Sequence, residues 1–147
     1  MTGPALRHLE SHHAIHEYAR QEAEAMTALL ERAVERQETG LAVQIAYVLI
    51  EHWETRTLCH AASEEQGLYP EIVRLEPDKE SVVHTLTRDH ELMRMAVEEI
   101  KELLHNDEPI VEAVRRFHLL LWVENMHSRD EERRLIATLN KRPETAS

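Results

Sequence analysis

The feature of this chain that most constrains its fold is a six-residue pattern of one histidine and two adjacent glutamates that occurs twice. The copies are HAASEE at residues 60–65 and HSRDEE at residues 127–132. A histidine and a glutamate four residues apart lie about one turn from each other on the same face of a helix. Two such faces directed at each other would present two imidazoles and two carboxylates to one point in a helical core. The four side chains are His60, Glu64, His127 and Glu131.

These four residues lie on apolar helical faces, which favours a metal site over an ordinary surface ion pair. Each copy of the pattern is followed at helical spacing by a leucine, Leu68 or Leu135. A carboxylate on a buried face needs a compensating positive charge, which a metal ion supplies. Mixed imidazole and carboxylate ligands suit iron or manganese above all, and zinc also accepts them. The alternative is a metal-free bundle in which the histidines and glutamates pair with each other.

The composition disfavours several classes of protein. Aspartate and glutamate outnumber lysine and arginine by 28 to 17, and the net charge of -11 makes nucleic-acid binding unfavourable. The single cysteine excludes an intramolecular disulfide and is typical of a reducing compartment, so we expect a cytoplasmic protein. Because no apolar run reaches the length of a membrane span, we expect no membrane partner. The 11 histidines are unusual in a chain of 147 residues and call for an explanation.

Apolar residues recur at spacings of three and four, which predicts an all-α chain with four long helices. We expect these helices to span residues 4 or 5 to about 37, 41–69, 77 to about 106, and 110 to about 140. Gly40 is predicted to break the first helix from the second, and Pro70 to end the second. Short connections make consecutive helices antiparallel neighbours. The sequence therefore predicts an up-down-up-down antiparallel four-helix bundle over residues 1–142 with a di-metal site in its core, and a flexible tail over residues 143–147.

Histidines on the first and third helices complete the predicted site. His90 lies on the apolar face of the third helix, and His12 and His16 share the apolar face of the first. Counting residues from the first turn puts His16 closer than His12 to the level of His60. A tilted or kinked helix would present His12 instead, or both, so both are candidate ligands. His13 shares a face with charged residues and is expected to face solvent.

Other residues are expected to surround the ligands without binding the metal. Glu65 and Glu132 lie one step off the ligand face and are expected to accept hydrogen bonds or face solvent, with Glu132 kept as an alternative ligand. Cys59 is expected to be a buried thiol with a packing role. Helical phase gives four candidates for hydrogen bonds to the ligands: Tyr47, Arg56, Thr57 and Glu124. The predicted apolar lining consists of Leu49, Trp53, Leu86, Met93, Phe117 and Trp122.

Taken together, these motifs resemble the hemerythrin-like (HHE cation-binding) domain family, over nearly the whole chain. The resemblance rests on SHHAI at residues 11–15, the two HxxxEE motifs, LYP at 68–70 and DHEL at 89–92. It implies a four-helix bundle that holds two iron ions bridged by carboxylates and by an oxo or hydroxo group. His60 and a first-helix histidine would bind one iron, and His90 and His127 the other. Glu64 and Glu131 would be the bridging carboxylates.

Two departures separate the chain from the oxygen-carrying hemerythrins. Leu86 stands where those carriers have a further histidine, one turn before the position of His90. Glu131 follows His127 after three intervening residues, where the carriers have an aspartate after four. The chain is therefore more similar to bacterial di-iron relatives and to iron- and oxygen-sensing versions.

The resemblance implies a non-haem di-iron protein that binds or reacts with a small ligand: dioxygen, nitric oxide or hydrogen peroxide. Its role would be oxygen or redox sensing, protection or iron handling, in a monomer or small homo-oligomer. The alternative is a di-iron enzyme: a peroxidase or catalase, a nitric oxide reductase, or an oxidase of an organic substrate. No catalytic residue is assigned from the sequence.

Overall fold

The computed structural model describes the backbone of residues 4–136 and the side chains of residues 11–136, and this part of the chain is helical without a β-strand. Its six α-helices are α1 (Pro4–Glu35), α2 (Thr39–His52), α3 (Leu58–Ser63), α4 (Tyr69–Leu75), α5 (Glu80–His105) and α6 (Ile110–Glu131). The other helical segments are π turns at Trp53–Thr57, Glu64–Leu68 and Glu132–Ile136, and a 3-10 turn at Pro77–Lys79. The predicted tail over residues 143–147 and the end of the predicted fourth helix lie outside the described residues.

Four long elements pack side by side in a helical bundle. α2, α3 and α4 follow one another through π turns without a loop, so residues 39–75 form one element, which we call the composite helix. α1 packs against α2 and α6, and α5 packs against α6 and the composite helix. Because the connections between these elements are short, consecutive elements are antiparallel neighbours. The prediction of an all-α bundle is confirmed, and no helix in the described part combines the length and apolar character needed to cross a bilayer.

The helix ends differ from the prediction at Gly40. α1 ends at Glu35, and Gln37, two residues later, adopts the left-handed conformation at φ 58°. The backbone N–H of Glu38 donates to the carbonyl of Ala33 at 2.9 Å. This pattern of hydrogen bonds closes the last turn of a helix and leaves no role for a glycine. Gly40 instead lies in the first turn of α2, so the prediction that it breaks the helix is wrong.

Pro70 does not end the second helix, which continues to Leu75. The backbone N–H of Tyr69 donates to the carbonyl of Glu64, five residues back, and so closes a π turn directly before the proline. Pro70 then falls in the first turn of α4. The proline is tolerated there because its fixed φ of about −65° suits a helix and the π turn before it already interrupts the regular hydrogen-bond pattern.

Two apolar clusters divide the core along the bundle. The large cluster is formed by α1, the first part of the composite helix, α5 and α6, and its largest buried members are Leu30, Leu49, Trp53, Met93, Ile100, Phe117 and Leu120. The small cluster is formed by the last part of the composite helix, the start of α5 and the π turn after α6, and it consists of Tyr69, Ile72, Val82, Val83, Leu86 and Leu135. On the composite helix, α5 and α6, the predicted metal ligands come between the members of the two clusters in the sequence. The fold therefore places the candidate site between two layers of apolar side chains.

The predicted apolar lining is only partly correct. Phe117 is fully buried in the large cluster, whereas Trp122 has 63% of its surface exposed. The reason is helical phase, since Trp122 lies two residues after the buried Leu120 and therefore on the opposite side of α6. These two aromatic residues on one helix thus provide a matched pair for a test of the core.

We expect Phe117→Ala to lower the free energy of unfolding by about 3–5 kcal/mol, because it removes a large side chain from a closely packed layer. Trp122→Ala, the control on the same helix, should change it by less than about 0.5 kcal/mol. Urea denaturation of the metal-free protein measures both values. Equal losses for the two variants would show that the core is not arranged as described.

Candidate metal centre

The structure brings all seven predicted ligands together in the interior of the bundle. Six of them are buried, with exposed fractions between 0% and 9%, and the side chain of His60 is 22% exposed. Four elements contribute: α1, the composite helix, α5 and α6. The seven residues are His12, His16, His60, Glu64, His90, His127 and Glu131. Their role as ligands stays a prediction, but their convergence is a property of the fold.

The side chains form two groups that share one residue. The first cluster is His12, His16, His60 and Glu64, and the second cluster is Glu64, His90, His127 and Glu131. Within each cluster the potential ligand atoms all lie within 4.8 Å of one another, which is close enough for one metal ion to contact all of them. Both first-helix histidines belong to the first cluster, so the structure does not separate them.

Glu64 directs one carboxylate oxygen to each cluster. Its Oε2 lies 2.5 Å from His12 Nε2 and 3.6 Å from His60 Nε2. Its Oε1 lies 3.3 Å from His90 Nε2, in the second cluster. A carboxylate placed in this way can bind two metal ions, one through each oxygen.

Glu131 makes the same division from the opposite side of the bundle. Its Oε1 lies 2.5 Å from His12 Nε2 and 3.6 Å from His16 Nε2, both in the first cluster. Its Oε2 lies 3.5 Å from His127 Nε2. Two carboxylates that each span both clusters are the arrangement of a carboxylate-bridged pair of metal ions in a helix bundle.

Two imidazole nitrogens in the first cluster fit a bound metal better than a hydrogen-bond network. His16 Nε2 and His60 Nε2 are buried and have no hydrogen-bond partner among the described residues. Leaving buried polar atoms unpaired is costly, about 1–3 kcal/mol each. A metal ion between these nitrogens and the carboxylate oxygens would satisfy them together, so the residues present fit the ion that the pattern predicts.

The histidines of the second cluster are oriented by carboxylates outside it. His90 Nδ1 donates to Glu65 Oε2 at 2.6 Å, and His127 Nδ1 donates to Asp89 Oδ2 at 2.9 Å. Arg94 in turn donates to Glu65 at 2.9 Å. With Nδ1 engaged in this way, each imidazole presents Nε2 to the cluster, which is the usual arrangement of histidines that bind metals. The expectation that Glu65 accepts hydrogen bonds is confirmed.

His16 is oriented by a chain of two hydrogen bonds from α6. Its Nδ1 donates to Ser128 Oγ at 2.6 Å, and Ser128 Oγ donates to Glu124 Oε1 at 2.6 Å. Glu124 is buried with 3% exposure, as expected of a residue that supports a ligand. The chain fixes the ring so that His16 Nε2 points to the first cluster.

Proton affinities in the metal-free centre are strongly perturbed. Burial favours the neutral form of Glu64 and Glu131, but hydrogen bonds with the neighbouring histidines hold the pKa of both carboxyls below its usual range. Burial opposes the charge on the histidines, but the carboxylates raise the pKa of His12 to about 9 and that of His127, which also contacts Asp89, to about 10. At neutral pH the metal-free centre therefore carries carboxylates and imidazolium groups, and a metal would displace the protons of the imidazolium groups.

Tyr69 belongs to the LYP pattern at residues 68–70, but the sequence did not indicate that its side chain lies in the site. It is 2% exposed, its hydroxyl donates a hydrogen bond to Glu131 Oε2 and lies 3.5 Å from Glu64 Oε1, and its ring stacks on His90 at 5.7 Å. Burial and the two carboxylates raise the pKa of Tyr69, so it is a neutral phenol in the metal-free protein. In an α-helix a residue five positions after Glu64 points about 140° away. The π turn at Glu64–Leu68 removes most of that offset, and nothing in the sequence indicates this turn.

Four other predicted neighbours of the site differ from the expectation. Tyr47 is 49% exposed, because it follows the buried Ala46 by one residue and so points outward from α2. Cys59 is exposed, not buried, because it lies one residue before His60 and so points about 100° away from the ligand face. Arg56 and Thr57 do not contact a ligand directly but line a cavity of about 550 Å³ that also contains Cys59 and extends to His16 and His60.

Glu132, the alternative ligand, is outside both clusters. It is 31% exposed at its side chain and accepts a hydrogen bond from Nδ1 of the exposed His13 at 2.8 Å. Both residues therefore behave as the sequence predicted for groups one step away from the ligand face.

Comparison with known proteins gives one match. The sequence profile of the hemerythrin HHE cation binding domain matches residues 7–139. No curated protein and no solved structure matches the chain. The matched range includes every residue of both clusters.

We expect metal affinity to rise with pH from about 6 to about 9. His12 and His127 have raised pKa values of about 9 and about 10, so over this range each holds a proton that a metal must displace, and a higher pH makes that displacement easier. Competition of Zn(II) against a chelator of known pH dependence measures the affinity without redox chemistry. An affinity that is flat over this range, or that is higher at the acid end, would contradict the assignment.

Asp89→Asn should weaken metal binding by about 10- to 100-fold, because it removes the anion that orients His127. Glu132→Gln is the matched control, since it makes the same kind of change at a carboxylate whose hydrogen-bond partner is the exposed His13 and not a ligand. That variant should change the affinity by less than about threefold. The same Zn(II) competition distinguishes them, and similar losses in the two variants would rule out a specific role for Asp89.

Proposed function

The chain belongs to the hemerythrin HHE cation-binding domain family, and we propose that it is a non-haem di-iron protein whose centre binds or reacts with dioxygen, nitric oxide or hydrogen peroxide. Membership of this family implies the binding of metal cations, typically iron. The number of ions and the ligand belong to the proposal. The observation that carries it is the division of each carboxylate, Glu64 and Glu131, between two separate groups of histidines.

Each cluster would hold one iron ion. The first ion would be bound by three imidazoles, those of His12, His16 and His60. The second would be bound by the imidazoles of His90 and His127. Glu64 and Glu131 would contribute one oxygen to each ion. Five donors at the first ion and four at the second leave room for solvent or a small ligand at ions that favour six.

The protein would supply orientation and a dry environment, while two iron ions would supply the capacity to exchange electrons with a bound small molecule. The large and small apolar clusters lie on either side of the ligands and shield them along the length of the bundle. Asp89 and Glu65 would hold the imidazoles of the second cluster in place.

The cellular role that we propose is sensing of oxygen or redox state, protection, or iron handling. We further propose a cytoplasmic protein that works as a monomer or small homo-oligomer, with a small molecule and not a nucleic acid as its partner. The acidic net charge of -11 supports the last point, because such a surface repels phosphate backbones.

One observation favours a second candidate function, an oxidase of an organic substrate. The cavity of about 550 Å³ between α1 and the composite helix reaches His16 and His60, and its wall is largely apolar, with Ile15 and Ala19 among its lining residues. This volume is within the range of small-molecule sites, about 300–1,000 Å³. The proposal of small-ligand binding needs no cavity of this size.

The experiment that tests the proposal is anaerobic loading with ferrous iron followed by separate mixing with dioxygen, nitric oxide and hydrogen peroxide. We expect two irons per chain, a higher melting temperature than that of the metal-free protein, and a spectral change with at least one of the three molecules. Glu131→Gln should reduce iron to one per chain or fewer, while Glu132→Gln, the adjacent control, should retain two.

The outcomes separate the alternatives. A protein that takes up no iron and whose stability is unaffected by a chelator would be a metal-free bundle and would end the proposal. Repeated turnover of peroxide without loss of iron would favour a peroxidase or catalase. Turnover of dioxygen only in the presence of an organic co-substrate would favour the oxidase, and filling the cavity by Ala14→Trp should then abolish it.

A further inference from the structure

We propose that Tyr69 is a protein ligand of the second metal ion and binds it through its phenolate oxygen. The inference rests on the proposed di-iron function and adds a donor to it. Histidine and carboxylate residues alone give that ion two imidazoles and two carboxylate oxygens. The phenol lies with them in the same pocket of the core.

The position of the hydroxyl supports this assignment. It lies against Glu131 Oε2 and 3.5 Å from Glu64 Oε1. These are the two carboxylate oxygens that face the second cluster, since the same Oε1 of Glu64 is 3.3 Å from His90 Nε2 and the same Oε2 of Glu131 is 3.5 Å from His127 Nε2. A metal ion bound by these oxygens and imidazoles would also be within reach of the phenol.

The side chain of Tyr69 is held in this position before any metal binds. Its ring stacks on His90 with an angle of 6° between the planes, and it packs with Ile72, Leu86 and Leu135 in the small apolar cluster. At 2% exposure, Tyr69 is buried, and the partners of its hydroxyl are the two carboxylates and not bulk water. A rigid, buried donor atom of this kind costs little to order on binding.

The number of donors gives a second argument. The first ion would have three imidazoles and two carboxylate oxygens. The second would have two imidazoles and the same number of carboxylate oxygens, and a phenolate raises its total from four to five. Both ions then have five protein donors and one remaining position, which a shared solvent oxygen or the small ligand can occupy. Tyr69 can supply this fifth donor, because its hydroxyl oxygen lies at the second cluster and is not part of a carboxylate already counted.

Binding requires the loss of one proton. The O–H bond of Tyr69 breaks, a metal–oxygen bond forms, and the proton passes to the solvent as the metal enters. The charge of a bound cation favours the anionic form of its ligands, even where burial alone would not. The competing arrangement is a phenol that keeps its proton and serves only to orient Glu131 through its hydrogen bond.

The experiment compares the native chain with Tyr69→Phe and with the control Tyr47→Phe. The chain contains three tyrosines, and the other two, Tyr18 and Tyr47, are exposed at 62% and 49%. Each protein is loaded anaerobically with ferrous iron and then oxidised with air. Iron per chain is measured by elemental analysis, and the ferric centre by visible absorption and by resonance Raman spectroscopy.

We expect the native ferric protein and Tyr47→Phe to show a phenolate-to-iron charge-transfer band in the visible, with enhanced phenol ring vibrations under excitation in that band. Tyr69→Phe should lose both signals. A native protein with two irons and no phenolate signal would overturn the inference while leaving the proposed function intact. A band that persists in Tyr69→Phe would also overturn it.

Two further outcomes are decisive. Failure of the native protein to take up any iron would end the proposed function and the inference with it. If Tyr69→Phe does not take up iron, the native resonance Raman spectrum decides alone: phenolate vibrations support the inference, because the other two tyrosines are exposed, and their absence overturns it.

Discussion

The structure depends on the burial of two carboxylates in one helical core. Glu64 and Glu131 are 3% and 0% exposed, and burial of unpaired anions would cost far more than a small domain can offset. The core therefore has to supply positive charge at one point, and five histidines converge there. In the metal-free protein His12 and His127 supply it as imidazolium groups, and in the proposed centre two metal ions do. The bundle geometry follows from the need to bring these groups from four elements to one level.

The layers around this level make the electrostatics effective. The large and small apolar clusters occupy the core on either side, so the charges interact across a medium of low polarity. Asp89 and Glu65 are partly exposed at the edge of the core, and they accept hydrogen bonds from the imidazoles of His127 and His90. Because these two carboxylates are partly exposed, they orient His127 and His90 at a lower desolvation cost than a buried anion would have. The same carboxylates that give the chain its net charge also determine which nitrogen of each imidazole faces inward.

The sequence predicts those parts of the site that follow regular α-helical spacing. His60 and Glu64 are one turn apart and meet in the first cluster as expected, and the same holds for His127 and Glu131 in the second. The spacing could not predict Tyr69, because the π turn after Glu64 changes the number of residues per turn. For the same reason the sequence ended the second helix at Pro70. The sequence also placed the break between the first and second helices at Gly40, whereas the residue in the left-handed conformation there is Gln37. A single residue inserted into the helical repeat cannot be predicted from a sequence pattern that assumes a constant number of residues per turn.

The π turns also relate the two halves of the centre. One begins at Glu64, and another begins directly after Glu131, so the same local expansion of the helix follows each of these two glutamates. Five residues on, the first half places Tyr69 in the core and the second half places Ile136 there, and only the tyrosine carries a donor atom. The first helix supplies two histidines to its cluster, while α5 supplies only His90. The extra phenol and the missing imidazole concern the same ion. In the proposed centre the two halves of the chain therefore offer unequal numbers of donors, and the phenol from the first half gives the two ions equal numbers.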